Sequence, residues 1–195
     1  MIEADVGGRT LQIVRGDITA EQVDAIVTAA NRLLCGGDQA GWGGGVDGAI
    51  HRAAGPELLA ACAAIGGCAP GDAVATIAGR LRARRVIHAV GPIWGAHGGA
   101  EDALLASAHR RSLEVAEQEG CESVAFPAIS CGVYKFPLER AAPIALGAVR
   151  DHLVGPASRV RLVRYCLFGD RELEAFAAAL RQLAGGDGRV KLAAP

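Results

Sequence analysis

The residues Gly41-Trp42-Gly43-Gly44-Gly45-Val46-Asp47-Gly48-Ala49-Ile50-His51 combine a glycine run, one acid and an apolar helical start. Glycine admits positive φ and lets backbone N–H groups approach a ligand with no Cβ in the way. Such N–H groups leading into a helix N-terminus form a ready anion site, most often for phosphate. Asp47 sits where this loop meets the helix. A carboxylate repels a phosphate, so it either caps the helix or faces an electron-poor part of the ligand. A second passage, Phe126-Pro127-Ala128-Ile129-Ser130-Cys131-Gly132-Val133-Tyr134, also runs from an apolar strand through a small, polar turn toward a helix. In a parallel sheet the two loops share one rim, and two amide-rich loops on one rim make a clamp suited to a pyrophosphate. No Gly-x-x-x-x-Gly-Lys-Ser/Thr occurs. No Gly-x-Gly-x-x-Gly opens a helix after a first strand, which argues against a dinucleotide-binding dehydrogenase.

The elements that must position these loops follow from periodicity. Residues 2–6 and 9–15 read as a hairpin turning at Gly7-Gly8. Asp17 stands at the end of the second strand, as a turn residue, a cap or a ligand group, and Thr19 reads as the N-cap of a short helix over 20–23. Asp24 to Ala30 is an apolar run suited to a buried parallel strand. Asn31 ends it, able either to orient a ligand hydroxyl or to tie down the next loop. Residues 32–45 form a long Gly-rich loop, a length usual for functional or mobile segments. Helices are expected over 46–54, 56–65, 100–119, from Leu138 to Leu153 and over 170–183; strands over 73–78, 85–90, 121–127 and 159–167. Leu105, Ala108, Ser112, Leu113 and Ala116 share one helical face, as do Leu138, Ala141, Ala142, Ala145, Leu146, Val149 and Leu153. Pro143 inside the latter run calls for a late start or a kink. The order argues a three-layer α/β/α sandwich with a mixed, mostly parallel sheet. One domain is expected over 1–184, with a flexible tail over 185–195.

Composition sets the outer bounds. A chain of 195 residues, 51% hydrophobic and 21% charged, suits one globular domain. The net charge of −1 disfavours nucleic-acid binding by bulk electrostatics. It leaves room for a small anion held by backbone amides. The six cysteines form no Cys-x-x-Cys and are not paired with histidine at zinc spacing. They read as reduced thiols of a cytoplasmic protein. The first residues lack a signal-peptide pattern, and no apolar run reaches a membrane span. A monomer without cofactor or metal is expected.

Five ordered motifs together resemble the macrodomain family: Gly16-Asp17-Ile18-Thr19; Ala29-Ala30-Asn31; Gly43 to His51 with Ala54-Gly55-Pro56; Val86-Ile87-His88-Ala89-Val90-Gly91-Pro92; and Phe126 to Tyr134. Within it they are most similar to the MacroD-type ADP-ribosyl hydrolases. The resemblance covers about residues 10–180. It implies a domain that binds ADP-ribose, with Asp17 on the adenine amino group and Ile18 in the same ligand set. Asn31 holds the distal ribose, and Gly44, Gly45 and Val46 supply amides to the phosphates. Ser130, Cys131, Gly132, Val133 and Tyr134 close over the other side. Phe168 either stacks on adenine or belongs to the core.

The activity the resemblance implies is removal of mono-ADP-ribose from Asp or Glu side chains of proteins, with O-acetyl-ADP-ribose as a further substrate. Cleavage at C1″ of the distal ribose passes through an oxocarbenium-like state, as in glycoside hydrolysis. Asp47 and Asn31 are the catalytic candidates, Asp47 stabilising the positive charge and orienting the water. The family also implies help from the ligand's own phosphate. A non-catalytic ADP-ribose reader and an ADP-ribose 1″-phosphate phosphatase are the alternatives. Three departures stand out. Thr28 replaces the first Asn of the usual Asn-Ala-Ala-Asn, Cys35 to Trp42 lengthens the catalytic loop, and Cys131 replaces the commoner Thr or Ser. Zinc-containing members carry extra Cys and His ligands near that loop. Cys35 stands alone there, so no metal is assigned.

Overall fold

The computed structural model describes residues 1–36 and 44–193. The expectations for Trp42, Gly43 and most of the Cys35–Trp42 extension fall outside them. Eight strands form one sheet: β1 (Ile2–Val6), β2 (Arg9–Arg15), β3 (Ala25–Ala29), β4 (Ala73–Ile77), β5 (Arg85–Ala89), β6 (Ser123–Phe126), β7 (Leu162–Leu167) and β8 (Val190–Leu192). Their order is β4-β5-β3-β6-β7-β2-β1-β8. The inner pairs β5–β3, β3–β6, β6–β7 and β7–β2 are parallel. The outer pairs β4–β5, β2–β1 and β1–β8 are antiparallel.

The helices are α1 (Gly45–Ala54), α2 (Pro56–Ile65), α3 (Glu101–Gln118), α4 (Leu138–Leu153) and α5 (Asp170–Gly186). The inner strands are buried on both faces, so successive side chains enter different cores. Ala25 and Val27 join the core with α3, α4 and α5, whereas Ile26 joins the one with α1 and α2. Tyr165 and Cys166 divide the same way. This is why β3 reads as an unbroken apolar run rather than an alternating one. The expected faces of α3 and α4 are buried residue for residue. Phe126, Tyr165 and Phe176 stack in the larger core, with ring centroids 5.5 and 4.8 Å apart.

Two expectations need correction, and one alternative falls away. Thr19 does not cap a helix over 20–23. Asp17 instead caps a 3-10 turn over Ile18–Ala20, its Oδ1 accepting from the Thr19 N–H at 2.9 Å and from the Thr19 hydroxyl at 2.7 Å. Of the two alternatives raised by Pro143, the late start is excluded: α4 begins at Leu138 and runs through Pro143, whose ring is on the exposed side. The residues after Gly185 do not simply fray. Val190–Leu192 add an antiparallel edge strand to β1, and Val190 is buried. A three-residue strand has too little pattern to announce itself; its partner is supplied by the sheet.

Candidate functional site

The carboxyl ends of β2, β3, β5, β6 and β7 meet at one edge of the sheet, where open α/β sheets keep their ligands. A cleft of about 760 Å³ lies there, within the usual range for small-molecule sites of roughly 300–1,000 Å³. Asp17, Ile18, Asn31, Gly44, Gly45, Val46, Asp47, Ser130, Cys131, Gly132, Val133, Tyr134 and Phe168 all line it. The two loops therefore share a rim, as the sequence implied.

One wall is the start of α1. Gly44 is its N-cap with φ 93°, and Gly45 follows with φ 37°, conformations that a side chain disfavours. The first-turn N–H groups of a helix have no carbonyl of their own to bond, so this end is electropositive. The opposite wall is the loop after β6. Its internal bonds use the amides of Cys131, Lys135 and Phe136. The amides of Gly132, Val133 and Tyr134 have no backbone partner among the described residues. Ser130 is held at φ 66°, unusual for a residue with a side chain. Gly91, after β5, makes room for it: a Cβ there would stand 2.1 Å from Ser130 Oγ.

Asp47 lies in the first turn of α1, lines the cleft and is only 6% exposed. Its Oδ1 accepts from the Thr28 hydroxyl at 2.8 Å and lies 3.8 Å from His51 Nε2, one turn further along α1. Its Oδ2 has no hydrogen-bond partner among the described residues. Burial raises the Asp47 carboxyl above its ordinary value, against the lowering pull of the Thr28 hydrogen bond and of His51. The Tyr134 hydroxyl is raised as well, first by burial and then by the Asp47 charge.

Asn31 lines the cleft while also tying down the next loop. Its Oδ1 accepts from the Leu33 N–H at 2.9 Å, and its Nδ2 lies 3.2 Å from Cys35 Sγ. Phe168 is 85% exposed on the cleft's rim, so the core alternative for it is excluded. Cys131 is half-buried, and burial pushes its thiol up to about 12, which keeps it protonated and unreactive at neutral pH.

Some of the site was not legible in sequence. Thr28 looked only like a departure from a motif, yet it orients the acid. Glu172, in the first turn of α5, also reaches the cleft. His51, Cys62 and His88, on α1, α2 and β5, each offer a donor atom within 4.8 Å of the others. Zinc spacing could not have found them, because three separate elements bring them together.

A three-layer α/β/α domain with an amide-lined cleft at its strand ends is the macrodomain architecture. The chain matches the Macro domain model over residues 27–145 and belongs to that family. It is 54% identical over 147 residues to an O-acetyl-ADP-ribose deacetylase of Cronobacter turicensis, covering 73% of this chain and 80% of that one. The Oceanobacillus iheyensis macrodomain with ADP aligns with a TM-score of 0.87 at 37% identity, over 96% of this chain and 100% of that one. The Trypanosoma brucei macrodomain in complex with ADP-ribose aligns with a TM-score of 0.79 at 38% identity, over 87% and 68%. No helix among the described residues is long and apolar enough to cross a membrane.

Proposed function

We propose that this protein binds ADP-ribose in the cleft and hydrolyses mono-ADP-ribose esters on Asp and Glu side chains, with O-acetyl-ADP-ribose as a further substrate of the same pocket. Solved macrodomains with ADP and with ADP-ribose, and relatives named O-acetyl-ADP-ribose deacetylase, support the ligand class. The observation that carries the hydrolytic reading is Asp47. A pocket built only to hold a diphosphate gains nothing from a buried acid in its lining with one oxygen unpartnered among the described residues.

The diphosphate lies between the amides at the start of α1 and those of Gly132 to Tyr134. Phe168 and Asp17 take the adenine, with Asp17 using the oxygen not committed to Thr19. The distal ribose reaches Asn31, Tyr134 and Asp47. As the C1″–O bond to the ester breaks, positive charge grows at C1″ and the Asp47 carboxylate stabilises it. Asp47 also orients a water and takes its proton as the new C1″–O bond forms. The departing group is the free carboxylate of the protein side chain.

The test is release of ADP-ribose from a protein modified on Asp or Glu, compared between native protein and Asp47→Ala. Release by the native protein alone supports the reading. Tight ADP-ribose binding with no release by either protein would make it a reader.

A further inference from the structure

We propose that His51, Cys62 and His88 form a binding site for a thiophilic divalent cation of the zinc class, set behind the cleft wall that carries Asp47. Two imidazoles and a thiol are the donor set that such ions prefer. His51 comes from α1, Cys62 from α2 and His88 from β5, and a donor atom of each lies within 4.8 Å of the others. An ion there would pin both helices of this layer to the sheet.

The local hydrogen bonds leave the donors free to ligate. The His51 side chain is nine-tenths buried, and its Nε2 has no hydrogen-bond partner among the described residues. Thr76 donates its hydroxyl to the Ile77 carbonyl at 3.0 Å. Its oxygen, 2.9 Å from His88 Nε2, is therefore an acceptor, and Nε2 carries the ring proton. His88 Nδ1 is then the bare nitrogen, 3.9 Å from Cys62 Sγ, which stands nearer Nε2 at 3.5 Å. Nitrogen and sulfur on one tetrahedral zinc stand about 3.6 Å apart for bond lengths of about 2.0–2.1 and 2.3 Å. Cys62 Sγ must swing away from Nε2 and toward the outer side of Nδ1 for the two to share one ion. The Thr76 contact fixes the histidine tautomer, the part that outer partners play around metal-bound imidazoles.

Protonation is consistent with this arrangement. Burial and the neighbouring His51 lower His88 to about 3, so its imidazole is neutral and can ligate. Burial raises the Cys62 thiol to about 11, so the empty site holds a thiol. Binding exchanges that proton for the cation, with one proton released to water and no change of oxidation state.

The test is titration of the reduced full-length chain with Co²⁺, which reports thiolate ligation by a sulfur-to-metal charge-transfer band and tetrahedral geometry by intense visible bands. One equivalent is expected to produce both, and Zn²⁺ to bleach them. The bands should vanish in Cys62→Ala and survive in Cys35→Ser and Cys68→Ser. If Cys62→Ala fails to fold, His51→Phe keeps a ring of similar size while removing the nitrogen, and it too should lose the tetrahedral spectrum. In parallel, Zn²⁺ should raise the melting temperature of the native protein. Absence of a thiolate band in the native protein, or bands that persist in Cys62→Ala or His51→Phe, would overturn the site. Neither readout depends on ADP-ribose hydrolysis, so this proposal and the hydrolase reading stand or fall separately.

Discussion

Thr28 and Asp47 lie 19 residues apart, on β3 and α1, and the Thr28 hydroxyl donates to Asp47 Oδ1 at 2.8 Å. This bond fixes one carboxylate oxygen and leaves the other, also buried, without a hydrogen-bond partner among the described residues. Thr28→Val removes the donor with little change of shape. A hydrogen bond to a charged group contributes about 1.5–3 kcal/mol, so turnover near pH 7 is expected to fall by roughly tenfold or more. The acidic limb of the pH–rate profile should move to higher pH, because the bond holds the Asp47 pKa down. An unchanged acidic limb would show that Thr28 does not set the state of this acid.

Asp47→Ala is expected to keep ADP-ribose affinity, measured by calorimetry, and to lose about 10²–10³ in turnover, the usual loss for one positioned electrostatic group. Equal turnover in both proteins would remove Asp47 from the reaction.

The raised Asp47 pKa also bears on stability. In the unfolded chain the carboxyl ionises near 3.8; in the fold, burial holds its proton to higher pH. Its stabilising contribution is therefore complete below 3.8 and is lost as pH rises through the folded value. At neutral pH the buried charge is a cost, which Asp47→Asn relieves. That variant is expected to melt above the native protein at pH 7, with the difference shrinking as pH falls toward 4. Thermal melts across this range check the sign. A variant that melts lower at pH 7 and equal at pH 4 would contradict it.

Gly91→Ala places a Cβ 2.1 Å from Ser130 Oγ and 2.6 Å from Ile129 Cγ2. The loop after β6 must then shift, so ADP-ribose affinity is expected to fall more than about tenfold, as preorganised contacts are lost. Adding Ser130→Gly removes the nearer obstacle and should recover part of the affinity. A double variant no better than Gly91→Ala alone would show that the contact with Ser130 is not the cause.

Phe168 is 85% exposed, so Phe168→Ala should leave the melting temperature unchanged. A base stacked on an aromatic ring is worth about 1–3 kcal/mol. ADP-ribose affinity is expected to fall accordingly, and ribose 5-phosphate affinity to stay the same. Equal losses for both ligands would place Phe168 away from the adenine.

Local physics explains what the sequence revealed. The buried faces of α3 and α4 are readable because small and apolar residues recur at the helical period over about three turns or more. The central strands were readable as short apolar runs, since both faces are covered. Thr19 reads as the cap in sequence because Asp17 and Thr19 are both good capping residues two positions apart; the 3-10 turn is only Ile18–Ala20, and Asp17 caps it. β8 was missed because its stability comes from β1 rather than from its own residues. Phe168 follows an apolar strand, and no local signal distinguishes the last core residue from the first rim residue. Thr28, His51, Cys62 and His88 have neighbours set by packing between elements, which no spacing along the chain encodes.

The most direct measurement runs the reaction in ¹⁸O-water with an Asp- or Glu-modified peptide and weighs the released peptide. Water attack at C1″ leaves both oxygens of the freed carboxylate unlabelled, so the native protein is expected to release peptide of ordinary mass and Asp47→Ala almost none. Peptide carrying ¹⁸O would place the attack at the ester carbonyl, and no release by the native protein would end the hydrolase reading.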